Sequence, residues 1–172
     1  GSSNEMLHEC YMIEGEVTIE EGHRMDKGHF ASTYLNLKPG ECMAFGSYPQ
    51  SADGTERAIQ WRVLQNSGSE LFVLSESIVD CKRYHGKSAD AGWRDCTDMT
   101  WQDCDLRKWL NDDFYNAAFD AAEKPFIQTA YCTDNGEGCP DTEDKVFLLS
   151  VAETEALSEI HGKHWRRAVG TD

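Results

Sequence analysis

The sequence predicts an α+β domain, and three stretches carry that prediction. Residues 57–65 (RAIQWRVLQ) and 70–79 (ELFVLSESIV) alternate at period two, with Ile59, Trp61 and Val63 on one face. The short polar segment 66–69 (NSGS) joins them as an antiparallel hairpin. Residues 100–119 (TWQDCDLRKWLNDDFYNAAF) place Leu106, Leu110, Phe114 and Ala117 at helical spacing, with Trp109 and Ala118 widening the stripe. Strands followed by amphipathic helices in one chain of 172 residues describe a sheet with helices packed on it. Between hairpin and helix, residues 80–99 lose all hydrophobic patterning, and loops of such length are commonly functional or disordered.

Taken in order, residues 1–41 read as an N-terminal extension or linker holding one strand at 12–20 (MIEGEVTIE) and a polar loop at 23–29. The domain proper spans 42–172. Pro39-Gly40 marks a turn, a strand follows over 41–47 and ends near Pro49, and Asp53-Gly54 forms the tip of the next turn. Thr100 stands as N-cap of the central helix, with Asp103 three residues on. Asn111-Asp112-Asp113 breaks the apolar stripe and reads as the cap of a second, shorter helix carrying Phe114, Tyr115 and Phe119. Asp120 and Glu123 repeat the capping spacing before Pro125 cuts the turn short. Residues 126–133 are extended, 134–144 form an acidic loop, and 146–149 make a buried strand. Ser150 and Glu153 form a capping box that opens a last helix to about residue 160.

Charge narrows the function. Sixteen Lys and Arg against 31 Asp and Glu give a net charge of −15, which repels nucleic-acid phosphates and anionic lipid surfaces. No apolar run approaches the roughly 18–20 residues of a membrane span, so membrane insertion is not expected. Seven cysteines include no pair two residues apart, so zinc-ribbon and thioredoxin signatures are missing. Cys132 and Cys139 flank a glycine-containing loop as a candidate disulfide. Cys81, Cys96 and Cys104 surround the polar loop and offer another pair. Such bonds favour an extracytoplasmic or cell-surface home.

Four motifs stand in one order: FGSYPQ (45–50), IQWRVL (59–64), LRKWLNDDFYNAAF (106–119) and DKVFLLSVAE (144–153). In that order and spacing they resemble a bacterial domain family of unknown function, from about Cys42 onward. Members of that family look like distant relatives of the C-type-lectin-like fold shared with the formylglycine-generating sulfatase-modifying enzymes. The resemblance implies helices packed on a twisted antiparallel sheet, with long irregular loops forming the ligand face. It also implies a second half with a Trp-Trp-Leu-Arg-Ser motif and a closing Val-Arg-Pro strand, neither of which follows Asp172 here. The chain is therefore expected to be truncated at its C-terminus, or to complete its sheet with other residues such as 1–41.

Two loops concentrate chemistry. In the first, Tyr84, His85 and Trp93 are the candidate ligand contacts, because flat aromatic faces suit a sugar ring or a peptide side chain. Trp101 and Trp109 fall on the helix and read as core. In the second, residues 133–144 gather oxygen donors, and calcium takes roughly six to eight of them. Asp134, Asn135, Asp141 and Asp144 are the candidate ligands, without the spacing of an EF-hand. The competing reading is a solvated acidic loop. His161 and His164 sit just past the last helix, placed either to hold a transition metal with a carboxylate or, more often for such residues, to complement the negative helix end. Cys96 and Cys104 lie in acidic surroundings that raise thiol pKa, which argues against a nucleophilic thiolate. The function read from these features is a non-catalytic recognition module for a glycan or a protein surface. The alternatives are a cysteine-dependent enzyme related to the sulfatase-modifying group, and a structural fragment completed by another chain segment.

Overall fold

The computed structural model describes residues 9–13, 27–86, 99–166 and 168–170. Its centre is a five-stranded antiparallel sheet in the order β2-β3-β4-β1-β8. The strands are β1 (Glu9–Ile13), β2 (Cys42–Pro49), β3 (Glu56–Asn66), β4 (Leu71–Ser75) and β8 (Phe147–Leu148). The predicted hairpin is β3–β4, paired from Trp61↔Ser75 to Asn66↔Leu71. Gly54 and Gly68 turn the chain at the ends of β3, both with positive φ.

The N-terminal segment departs from the expected element bounds in two ways, while its place in the sheet is the one offered for residues 1–41. Its strand is Glu9–Ile13 and lies inside the sheet, against β4 through Cys10↔Leu74 to Ile13↔Leu71 and against β8 through Cys10↔Phe147. Residues 14–20 of the expected strand lie outside the described residues. Where a polar loop was expected to reach residue 29, helix α1 (Lys27–Tyr34) begins. Its Phe30 is buried and stacks on Phe126 at 4.6 Å between ring centroids.

One face of the sheet carries Ile59, Trp61, Val63, Leu71 and Val73, all fully buried. The central helix packs there as α2 (Asp105–Trp109), a π-helical turn (Leu110–Phe114) and α3 (Tyr115–Ala118), with right-handed backbone at every junction. Asn111-Asp112-Asp113 therefore does not start a second helix. The π turn explains why. Leu106, Leu110, Phe114 and Ala118 are the buried positions, spaced by four throughout, and Ala117 is exposed. In an α-helix, four residues overshoot a turn by ~40°, so three such steps would carry the stripe off the sheet. The wider π turn cancels that drift. Asn111 donates to the carbonyls of Arg107 (3.1 Å) and Val146 (2.9 Å) and accepts from the backbone N–H of Lys145 (2.7 Å). It thereby binds the helix to the segment entering β8.

The N-cap also differs. Cys104, fully buried, accepts from the Arg107 N–H through Sγ, while Thr100 heads the preceding turn and its carbonyl accepts from the Cys104 N–H. Phe119 follows α3 and contacts Phe45, Trp61, Phe114 and Tyr115. The β2 strand bulges between Ala44 and Ser47 to admit it, with Gly46 at φ +71°.

Asp120 and Glu123 form the predicted capping pair. Asp120 accepts from the N–H groups of Ala122 and Glu123, and Glu123 accepts from the N–H of Asp120. The other oxygen of Glu123 accepts the Gly46 N–H at 3.0 Å, so this half-buried carboxylate joins helix end to bulge. Burial raises its pKa above the usual carboxylate value, against the two backbone hydrogen bonds that lower it. A raised native pKa means the contribution is fully present below the unfolded pKa and is lost as pH rises through the native one. Urea unfolding between about pH 4 and pH 7 should show Glu123→Gln less stable throughout, yet declining less with pH than the parent. An identical slope in both proteins would mean Glu123 is ionised without penalty.

Two smaller strand pairs complete the fold. Strands β5 (Ser77–Ile78) and β9 (Val169–Gly170) run parallel, and β6 (Ala130–Cys132) pairs antiparallel with β7 (Thr142–Asp144). Helix α4 (Val151–His161) opens with the predicted capping box, Ser150 accepting from the Glu153 N–H and Glu153 from the Ser150 N–H.

Candidate ligand-binding groove

The second face of the sheet carries the side chains that alternate with the core set, Leu64 and Phe72 among them. Helix α4 stands over this face without closing on it, and none of its residues is fully buried. The space left between them is a groove of about 850 Å³. Leu64, Phe72 and Phe147 line it from the sheet, with Phe72 and Phe147 stacked at 6.0 Å. Ala152, Ala156, Leu157 and Ile160 line it from α4, where spacings of three (Leu157 to Ile160) and four (Ala152 to Ala156 to Ile160) share a side. Ala130, Tyr131 and Cys132 contribute from β6, and the loop after them adds Asp134 and Asn135. Tyr84 and Trp101 also line it, their ring centroids 6.5 Å apart.

Three large apolar side chains beside this groove face solvent: Val151 at 76% exposure, Ile160 at 73% and Tyr131 at 66%. Val151 and Ile160 sit at opposite ends of α4. Helix and hairpin thus present apolar side chains to solvent along the opening.

The candidate residues from the sequence divide. Tyr84, Asp134 and Asn135 come together on the groove. His85 does not line it; its Nδ1 lies 3.2 Å from Asp105 Oδ2, and that same oxygen accepts the Gly86 N–H at 2.6 Å. Asp105 thus holds residues 85–86 against the start of α2. Trp93 lies outside the described residues. Trp101, expected in the core, is 7% exposed and does both jobs, packing inward while closing one part of the groove.

The calcium ligands do not assemble. Asp144 is fully buried, and both its oxygens are engaged. Oδ1 accepts from Arg107 Nε at 2.7 Å; Oδ2 accepts from Trp101 Nε1 at 2.9 Å and from Thr142 Oγ1 at 2.7 Å. Asn135 turns its amide nitrogen to the carbonyls of Cys132 (3.0 Å) and Pro140 (2.9 Å), closing the loop on itself. Asp134 and Asp141 are exposed. Among the described residues no group of three or more His, Cys, Asp and Glu side chains is gathered to hold a metal ion.

The thiols also depart from the expected pattern. Cys81, Cys104, Cys132 and Cys139 are free, so the Cys132–Cys139 bond is not formed and Cys81 does not pair with Cys104. Cys96 lies outside the described residues. Burial, more than acidic surroundings, raises the Cys104 thiol, and burial followed by the Asp144 charge pushes Cys132 up to about 12. The thiol that lines the groove is therefore a weak nucleophile. His161, at the end of α4, stacks flat on Trp165 at 3.7 Å.

The apolar wall contributed by α4 had a signal in the sequence: Ala152, Ala156, Leu157 and Ile160 form one stripe in VAETEALSEIH. Tyr131 had none, being one aromatic residue in a short extended stretch. No helix among the described residues is long and apolar enough to cross a membrane.

No curated protein and no solved structure matches the chain. Residues 68–169, more than half of the chain, match the family described as a domain of unknown function (DUF6273), a span that holds β4, the central helix, the β6–β7 hairpin and α4. The groove is built largely inside that span, and the chain belongs to the DUF6273 family.

Proposed function

We propose that this chain is a non-catalytic recognition module, C-type-lectin-like in build, whose groove between α4, the β6–β7 hairpin and the sheet takes a segment of another protein. One observation carries the reading: a groove of about 850 Å³ lined mainly by apolar side chains, beside which Val151, Ile160 and Tyr131 stay exposed. Its volume falls within the range of ligand sites, roughly 300–1,000 Å³, and apolar walls with a few polar groups are what such sites use. Leucine, alanine and phenylalanine surfaces complement peptide side chains better than sugar hydroxyls, which would strand polar groups against them. The raised pKa of the Cys132 thiol weighs against the cysteine-dependent enzyme as an alternative.

The test is selection of a random peptide library on the protein, with counter-selection on Ala156→Trp. Ala156 is an exposed α4 residue that lines the groove, so tryptophan there fills space without entering the core. Selected peptides should share apolar anchor residues, bind with micromolar Kd and lose at least roughly tenfold affinity for the variant. The variant's thermal unfolding should match the parent's. Failure to enrich any peptide, with binding instead on a glycan array, would move the function to carbohydrate recognition.

A further inference from the structure

Resting on the reading of the groove as a protein-docking site, we infer that its partner is a cationic amphipathic segment: an apolar stripe bordered by Lys or Arg. The charge around the groove carries this. Among the described residues the ionisable side chains lining it are Asp134, Glu153, His161, Cys132 and two tyrosines, with neither Lys nor Arg among them. Beyond the lining, α4 adds Glu155 and Glu159 and the hairpin loop adds Glu137, all exposed, in a protein of net charge −15. The carboxylates flank an apolar floor, so an anionic partner would bring like charges together while its apolar side chains were being buried. A neutral apolar segment would fill the floor but leave the attraction of the exposed Asp134 and Glu153 carboxylates unused. A stripe of leucines with lysines on its borders satisfies both zones, in the manner of an amphipathic helix laid in a groove.

Two synthetic peptides with the same leucine stripe test this, one bordered by lysine and one by glutamate. Their binding to the 172-residue chain is followed by fluorescence anisotropy at about 0.02 M and about 0.5 M salt. The Leu/Lys peptide should bind and weaken at high salt, and the Leu/Glu peptide should not bind. Asp134→Asn with Glu153→Gln should cost the Leu/Lys peptide roughly tenfold, as two exposed ion pairs at the upper end of their range would. Ala156→Trp should abolish its binding. If Ala156→Trp leaves it unchanged, attraction is spread over the acidic surface and the inference is overturned. If both peptides bind equally and Ala156→Trp blocks both, the groove reading stands and the cationic partner is wrong. If neither binds, the cationic partner is likewise wrong, and the outcome of the library selection judges the groove separately.

Discussion

Replacing Asp144 with alanine should destabilise the domain by ~3–5 kcal/mol, the cost of removing one partner from a buried charged network. The carboxylate has no solvent exposure, and three donors converge on it from different parts of the chain: Arg107 Nε, Trp101 Nε1 and Thr142 Oγ1. Alanine would leave the indole and hydroxyl donors without acceptors. It would also leave the guanidinium, with its side chain 23% exposed, only partly solvated and bonded to the Gln102 and Glu143 carbonyls. Against a total stability of roughly 5–15 kcal/mol, such a loss moves the urea midpoint far. In an Arg107→Met background the same substitution should cost at least ~1 kcal/mol less, because the stranded charge is gone. A loss below about 1 kcal/mol would mean the carboxylate is solvated, and would restore Asp144 as a candidate cation ligand.

Asp144 also shows where reading the sequence stops. In the run DTEDK it cannot be told from Asp141 or Glu143. Its burial is decided by Trp101 and Arg107, some forty residues earlier, which no local pattern records. The β3–β4 hairpin was legible because period-two alternation and a short polar turn are local properties. The stripe of Leu106, Leu110 and Phe114 was legible for the same reason. Its last member was misread as Ala117 because the π turn is imposed by packing on the sheet and by Asn111 bridging to Lys145 and Val146. Strand β1 was displaced in the prediction because its partners are residues 71–74 and 147–148, far along the chain. In the groove, Tyr84, Asp134 and Asn135 were singled out by residue type, but that they meet on one surface depends on where the hairpin and α4 lie. The apolar stripe of α4 was visible in sequence; that the sheet leaves it partly uncovered was not.

Gly46→Ala should lower stability by roughly 2–5 kcal/mol, combining a left-handed backbone penalty with overpacking of a full core. At φ +71° a side chain is disfavoured before any contact is counted. A Cβ built there would meet Phe119 Cδ1 and Cε1 at 2.7 Å and the Ala118 carbonyl oxygen at 2.8 Å. Neither neighbour gives way easily. Phe119 is wedged among Phe45, Trp61, Phe114 and Tyr115, and the carbonyl belongs to the end of α3. Relief therefore requires α3 to move off the bulge in β2, which also lengthens the hydrogen bond from the Gly46 N–H to Glu123. For a chain of this size each kcal/mol shifts Tm by about 2–4 °C, so a fall of roughly 5–20 °C is expected. Gly54→Ala separates the two causes. Its φ is +76°, but nothing lies within 4 Å of its Cβ, so it should lose only the backbone part, ~1 kcal/mol. Equal losses at the two glycines would show that α3 yields freely at the bulge, and that the tight seat of Phe119 contributes little to holding helix against sheet.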